Sequence, residues 1–152
     1  MRITNETEYS LRIMHRLALA GEGGRLDART LSEELGVPPR FTLKILRKLM
    51  GGGLVKSYKG ASGGYSLAAP AADITVRAIV ETIEGPLTIT RCLDENCACG
   101  KPGMDGSDKT LCYFHRVMAG VNRLMAEELE KANLADAVAG DIAGEIRGER
   151  KG

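Results

Sequence analysis

The sequence predicts a mainly α-helical fold carrying one small β-hairpin, on three observations. Two segments with helical apolar spacing, the second of them short, precede a third whose cations all fall on one side. Two runs with strand character follow, split by a glycine-rich turn. A long helical pattern then closes the chain after a loop that holds every cysteine. Helix, helix, tight turn, basic amphipathic helix and hairpin is the order of a winged helix-turn-helix, here extended by a long C-terminal helix. The winged unit is expected over residues 1–86 and the loop with its long helix over 87–140. Residues 141–152 alternate glycine with charge and are expected to be a disordered tail.

The first helix is expected over Thr4 to Ala20. Thr4 can cap it, Glu6 and Glu8 suit its positive end, and Tyr9, Ile13, Met14, Leu17 and Ala18 recur at helical spacing. Ala28, Leu31 and Leu35 mark a short second helix that Gly36 closes, and Val37-Pro38-Pro39 turns the chain into a third. That helix, about Pro39 to Met50, places Arg40, Lys44, Arg47 and Lys48 on one face and Phe41, Ile45, Leu46, Leu49 and Met50 opposite, with no acid between. Leu54 to Tyr58 and Tyr65 to Ala68 read as strands around the turn Lys59 to Gly64. Asp73 to Glu84 makes a further helix, stopped by Gly85-Pro86. The longest pattern starts near Ser107 or Asp108 and runs to Ala132, with Leu111, Phe114, Val117, Met118, Val121, Leu124, Met125 and Leu129 at intervals of three or four. A last short helix is expected from near Asn133.

Composition narrows the function classes. The 152 residues are 43% hydrophobic, enough for a core. No run of about 18 apolar residues exists, and the first residues are polar and acidic rather than basic then apolar, so a cytosolic location without membrane association is expected. The net charge of +1 hides an asymmetry: residues 1–60 carry eleven Lys/Arg against six Asp/Glu, the remainder ten against fourteen. A basic front half suits a polyanionic partner. No phosphate-binding glycine loop, activated nucleophile or paired catalytic carboxylates stand out, so an enzyme is not expected.

The third helix and hairpin are read as a double-stranded DNA interface. A major groove about 12 Å wide admits one helix, and a cationic face lets it approach the phosphates. Arg40 starts that helix, where base edges are reached; Lys44 and Arg47 can meet bases or phosphates; Lys48 and the hairpin-tip Lys59 suit phosphates or the adjacent groove. Thr42, Ser62 and Gly63 complete the candidate DNA-binding set.

The cysteines follow the pattern C-x4-C-x-C-x12-C-x2-H, from Cys92 through Cys97, Cys99 and Cys112 to His115. Grouped thiols in a reducing compartment point to metal or redox chemistry rather than to stable disulfides. Cys112 and His115 stand three apart at the start of the long helix, where the helix dipole favours a thiolate. Gly100, Gly103 and Gly106 let the backbone fold round a ligand and add almost nothing to a core. The spacing alone leaves an iron–sulfur cluster and zinc both open.

Taken together, Met1-Arg-Ile-Thr4, the wing Gly60-Ala-Ser-Gly-Gly-Tyr65, Glu84-Gly-Pro86 and clustered cysteines before a long helix resemble the IscR/NsrR-like family of iron–sulfur transcription regulators, nearly to residue 140. The resemblance implies a homodimer on a pseudo-palindromic operator, with the C-terminal helix as the dimerisation element and a cluster near the interface. It makes Cys92 the first cluster cysteine and Cys112 with His115 the C-x2-H end of a 2Fe–2S ligand set, a 4Fe–4S cluster being the variant. Cys97 and Cys99 straddle the place of the middle ligand, so three cysteines with His115, or all four cysteines, remain open. NsrR-like members use a carboxylate near Glu8, which thus competes with His115. The family reads DNA through the start of the recognition helix and the wing tip, matching Arg40, Lys44 and Lys59. Leu43 stands where members with a base-discriminating glutamate carry it, so a different operator is implied. The function implied is a DNA-binding regulator controlled by a cluster on residues 92–115; the alternative is a zinc-stabilised or thiol-redox-sensing regulator without one.

Overall fold

The structure, a computed structural model, describes residues 3–94 and 111–140. Cys97, Cys99, the expected helix start at Ser107 or Asp108, and the 141–152 tail lie outside the described residues.

Helix α1 spans Asn5–Leu19 and is capped by Thr4, whose hydroxyl accepts from Thr7 N at 3.3 Å. Helix α2, Ala28–Leu35, is capped by Asp27, which accepts from Thr30 N at 2.7 Å, and ends on Gly36 in left-handed geometry. Helix α3, Pro39–Gly51, begins on a proline whose missing N–H would have found no helical partner. Strands β1, Val55–Tyr58, and β2, Gly64–Leu67, pair antiparallel with Val55 opposite Leu67. Leu26 adds one further rung: Leu26 N donates to Tyr65 O at 3.0 Å and Tyr65 N to Leu26 O at 2.8 Å. That rung needs glycine at 64, where φ is +130° and a Cβ would meet Leu26 O at 2.9 Å.

Helix α4 covers Val76–Glu84, a later start than the expected Asp73. Ala71–Asp73 forms a 3-10 turn, Ile74 is extended and buried, and Thr75 caps the helix by accepting from Ala78 N at 3.1 Å. The returning C-terminal segment explains the shift. Leu134 N donates to Ile74 O at 3.1 Å and Val76 N to Ala132 O at 2.8 Å, contacts that extended backbone supplies and a helix would not. Helix α5 spans Tyr113–Lys131, so Leu111 and Cys112 precede it rather than lie within it, and Cys112 is its N-terminal cap residue. Asn133, accepting from Asp136 N at 3.0 Å, opens a short helix α6 over 134–140.

Helices α1, α3 and α4 close on a core of Ile13, Met14, Leu17, Ile45, Leu46, Leu49, Ile79 and Ile83, each worth about 1.5–3 kcal/mol when fully buried. Leu134 belongs to the same cluster, so the core is continuous across residue 86. Two expectations for α3 are corrected here. Phe41 is 42% exposed and meets Tyr9 edge-on at 6.2 Å, because it sits past the rim of the apolar seam. Thr42 occupies the seam instead. It is fully buried, its hydroxyl donating to Val37 O at 3.4 Å or Pro38 O at 3.3 Å, which removes it from any DNA-facing surface. Among the described residues no helix is long and apolar enough to cross a membrane.

A polar tie joins the N-terminus of α1 to the C-terminus of α4. Glu84 Oε1 accepts from the Thr4 and Thr7 hydroxyls and from Thr4 N at 3.2 Å. The bonds from Thr4, then Thr7, hold the Glu84 carboxyl below its ordinary value of 4.5. Stability from this tie is therefore complete above the ordinary value and lost as pH falls through the lowered one. Thr4→Ala should cost about 1–2 kcal/mol in denaturant unfolding. It should also flatten the acid-side loss of stability seen with the unaltered protein; a loss equally steep would dissociate Glu84 from the cap.

Candidate nucleic-acid interface and thiol site

Burial of Thr42, Ile45, Leu46 and Leu49 turns Arg40, Leu43, Lys44 and Arg47 outward. Arg40 and Arg47 are exposed, Arg40 in the first turn of α3. Leu43, 40% exposed, lies between them in sequence on the same outward side. Lys44 and Lys48 share this flank but are engaged. Lys44 Nζ donates to Glu6 Oε2 at 3.1 Å and sits 5.7 Å from the Phe41 ring centre. Lys48 Nζ is ion-paired with Glu6 Oε1 at 2.8 Å and donates to Ile83 O at 3.4 Å. Burial pushes the Glu6 carboxyl up, but the ammonium groups of Lys48 and Lys44 outweigh it, so the net shift is downward and the acid is held ionised.

The hairpin tip carries Lys59 and Ser62, both exposed, and a half-buried Gly63. Gly63 shapes the tip: its N–H donates to Gly60 O at 3.0 Å, and a Cβ would fall 2.4 Å from Tyr58 O. Arg25 completes the wing. Its guanidinium stacks 3.6 Å from the Tyr58 ring centre, and Nη1 donates to Ser62 O at 3.1 Å. Neither Arg25 nor Glu6 was legible as part of this surface. Arg25 meets Ser62 across 37 positions and Glu6 meets Lys44 across 38, distances over which local periodicity carries no signal.

Among the described residues, the candidate ligands stand at the two ends of the 92–115 segment. A 3-10 turn, Arg91–Leu93, packs against α5 and presents Cys92, whose Sγ shares a hydrogen bond with Thr90 Oγ1 at 3.0 Å. Asn122 of α5 pins the preceding strap, accepting from Ile89 N at 3.0 Å and donating to Leu87 O at 2.9 Å. Cys112 occupies the N-cap position of α5, and His115 lies in its first turn. Cys92 and Cys112 are half-buried and outside any disulfide. Among the described residues, His115 Nδ1 is buried without a hydrogen-bond partner, an orphaned donor-acceptor of the kind a ligating imidazole leaves. Two thiols and this nitrogen suit an iron–sulfur cluster or zinc in chemistry. Among the described residues no three His, Cys, Asp or Glu are grouped closely enough to hold a metal ion, and Cys97 and Cys99 lie outside those residues. Glu8 is exposed and ion-paired with Arg12 one turn on.

Residues 3–140 match the Rrf2 family model, described as an iron-dependent transcriptional regulator. Rv1287 of Mycobacterium tuberculosis (strain ATCC 25618 / H37Rv), ranked by name with HTH-type transcriptional regulators, is 32% identical over 135 residues, covering 89% of this chain and 81% of its own. The HTH-type transcriptional regulator IscR of Serratia proteamaculans (strain 568) is 28% identical over 138 residues, 91% of this chain and 79% of that one. The fold is shared with CymR (YrzC), the global cysteine regulator of B. subtilis, at a TM-score of 0.69 and 23% identity, over 91% of this chain and 97% of that one.

Proposed function

Because the chain belongs to the Rrf2 family and is a DNA-binding transcription regulator, we propose that it works as a cytosolic homodimer on a pseudo-palindromic operator, its affinity set by an iron–sulfur cluster on the 92–115 segment. What supports this reading is the exposure of Arg40, Leu43, Lys44 and Arg47 on α3, together with a hairpin whose tip exposes Lys59 and Ser62. Arg40 is the base reader, because a recognition helix enters the groove by its N-terminal turn. Arg47, Lys59 and Ser62 hold the phosphates and fix register.

The long helix supplies the second half of the proposal. Val117, Val121 and Leu124 recur at four and three residues and are 43%, 49% and 61% exposed. A contiguous apolar strip of this kind calls for a partner, and a second copy of α5 offers a self-complementary one. On its other side α5 packs against α4, with Met125 and Leu129 beside Val80.

Cys92, Cys112 and His115, with Cys97, Cys99 or Glu8 from either chain, would hold the cluster, which when bound supplies a centre sensitive to redox state and small ligands. Asn122 and Thr90 position the Cys92 strap on α5, the helix proposed to pair the subunits. A change at the strap then alters the spacing of two α3 helices on half-sites of fixed separation. The second reading, a zinc or thiol-redox regulator, is supported on its thiol side by the likeness to CymR, a global cysteine regulator.

Arg40→Ala should cost about 1–3 kcal/mol on an operator selected from a random library and little on random duplex. Lys59→Ala should weaken both and flatten the salt dependence by a slope of about 1. Equal loss for Arg40→Ala on both DNAs would make it a phosphate contact. Val121→Glu with Leu124→Glu should yield a monomer in sedimentation; a persistent dimer would move the interface elsewhere. Protein purified without oxygen should contain iron and sulfide and absorb visible light, and His115→Ala should shift that spectrum. Colourless, iron-free protein after reconstitution would favour the zinc or thiol reading.

A further inference from the structure

Glu6 sits where a DNA reader should have no acid. It lies in the first turn of α1, only 16% exposed, and its carboxylate spans the two lysines that the strip of α3 would otherwise present to phosphate. Lys48 is further drawn inward by Ile83 O, and Glu84, on the neighbouring end of α4, adds a second negative charge to its surroundings. Lys44 is anchored over Phe41 as well as on Glu6. Two cations facing Glu6 and Glu84 form a locally neutral group, whereas Arg40 and Arg47 stand on the same strip in solvent.

We propose that Glu6 is a positioning residue for DNA reading, clamping Lys44 and Lys48 against α1 so that α3 meets DNA through its two arginines. The proposal rests on the DNA-reading function of α3. Its logic is one of counterions. Each lysine that binds a phosphate releases condensed cations and strengthens binding to every sequence alike. A lysine already neutralised by a protein carboxylate releases none until that pair is broken. Sequence-independent affinity is thereby held down, while bidentate contacts from arginine to guanine are untouched. The clamp thus widens the ratio of operator to random binding without contacting a base itself.

The test uses full-length protein and a random-sequence duplex, with affinity measured across a salt series. Glu6→Gln should raise affinity on the order of tenfold at low salt and steepen the salt slope by about one to two, as two phosphate contacts are gained. In a Lys44→Met, Lys48→Met background the same change should have no effect, since there is nothing left to release. A slope unchanged by Glu6→Gln overturns the clamp. So does an equal gain in the double-methionine background, which would make Glu6 a general repulsive field. Should Glu6→Gln fail to fold by circular dichroism, the comparison of Lys48→Met with Arg47→Met decides. The clamp requires a loss of slope of about 1 for Arg47→Met and much less for Lys48→Met; equal losses overturn it. Absence of salt-dependent DNA binding by the unaltered protein would overturn the reader and the clamp together, whereas a normal wild-type salt slope with an inert Glu6→Gln overturns the clamp alone.

Discussion

Burial of Ile45, Leu46 and Leu49 sets the rotation of α3 about its axis, and the side proposed to meet DNA follows from that rotation. A helix turned by one residue would swing each side chain by about 100° and carry Thr42 out of the interior. The seam is held on two sides, by Ile13, Met14 and Leu17 of α1 and by Ile79 and Ile83 of α4. With that geometry fixed, Arg40, Leu43 and Arg47 have no choice but to face solvent. The hairpin is fixed by a separate constraint, the Leu26–Tyr65 rung, which tolerates only glycine at position 64.

Charge on this surface is arranged rather than accumulated. Of the four cations on the α3 strip, two are matched by Glu6, and Arg40 and Arg47 are exposed. On the wing, Arg25 spends its guanidinium on Tyr58 and Ser62, stiffening the tip that carries Lys59. A reader of DNA needs enough positive charge to find the polymer and little enough to leave a wrong site, and unequal engagement of similar cations is one way to reach that balance.

A continuous series of contacts runs from Cys92 to α3. The Cys92 turn and the strap held by Asn122 rest on α5; α5 packs on α4; Glu84 at the end of α4 binds Thr4 and Thr7 of α1; Glu6 of α1 holds Lys44 and Lys48 of α3. Three of these links are polar and short in reach, so a displacement of α5 against α4 is transmitted only if they hold. Under the proposed function, this is the route by which chemistry at the cysteines reaches the arginines.

The chain's linear pattern was sufficient for every element whose signal is local. The Thr4 cap, the Gly36 stop, the proline start of α3, the glycine wing and the long apolar repeat of α5 each rest on residues within a few positions of one another, where helix and turn geometry act directly. Contacts between distant positions were settled only by the fold. Thr42 and Phe41 exchanged places because the packing seam of α3 is defined by α1 and α4, not by α3's own periodicity. The start of α4 moved because the chain returns from residue 134 to take up Ile74 and Val76. The pairing of Glu6 with two lysines, and of Arg25 with the wing, likewise exists only once helices remote in sequence are brought side by side. Periodicity reports which face of a helix is apolar; it carries no information about what stands opposite, because that is decided by which surfaces exclude water together.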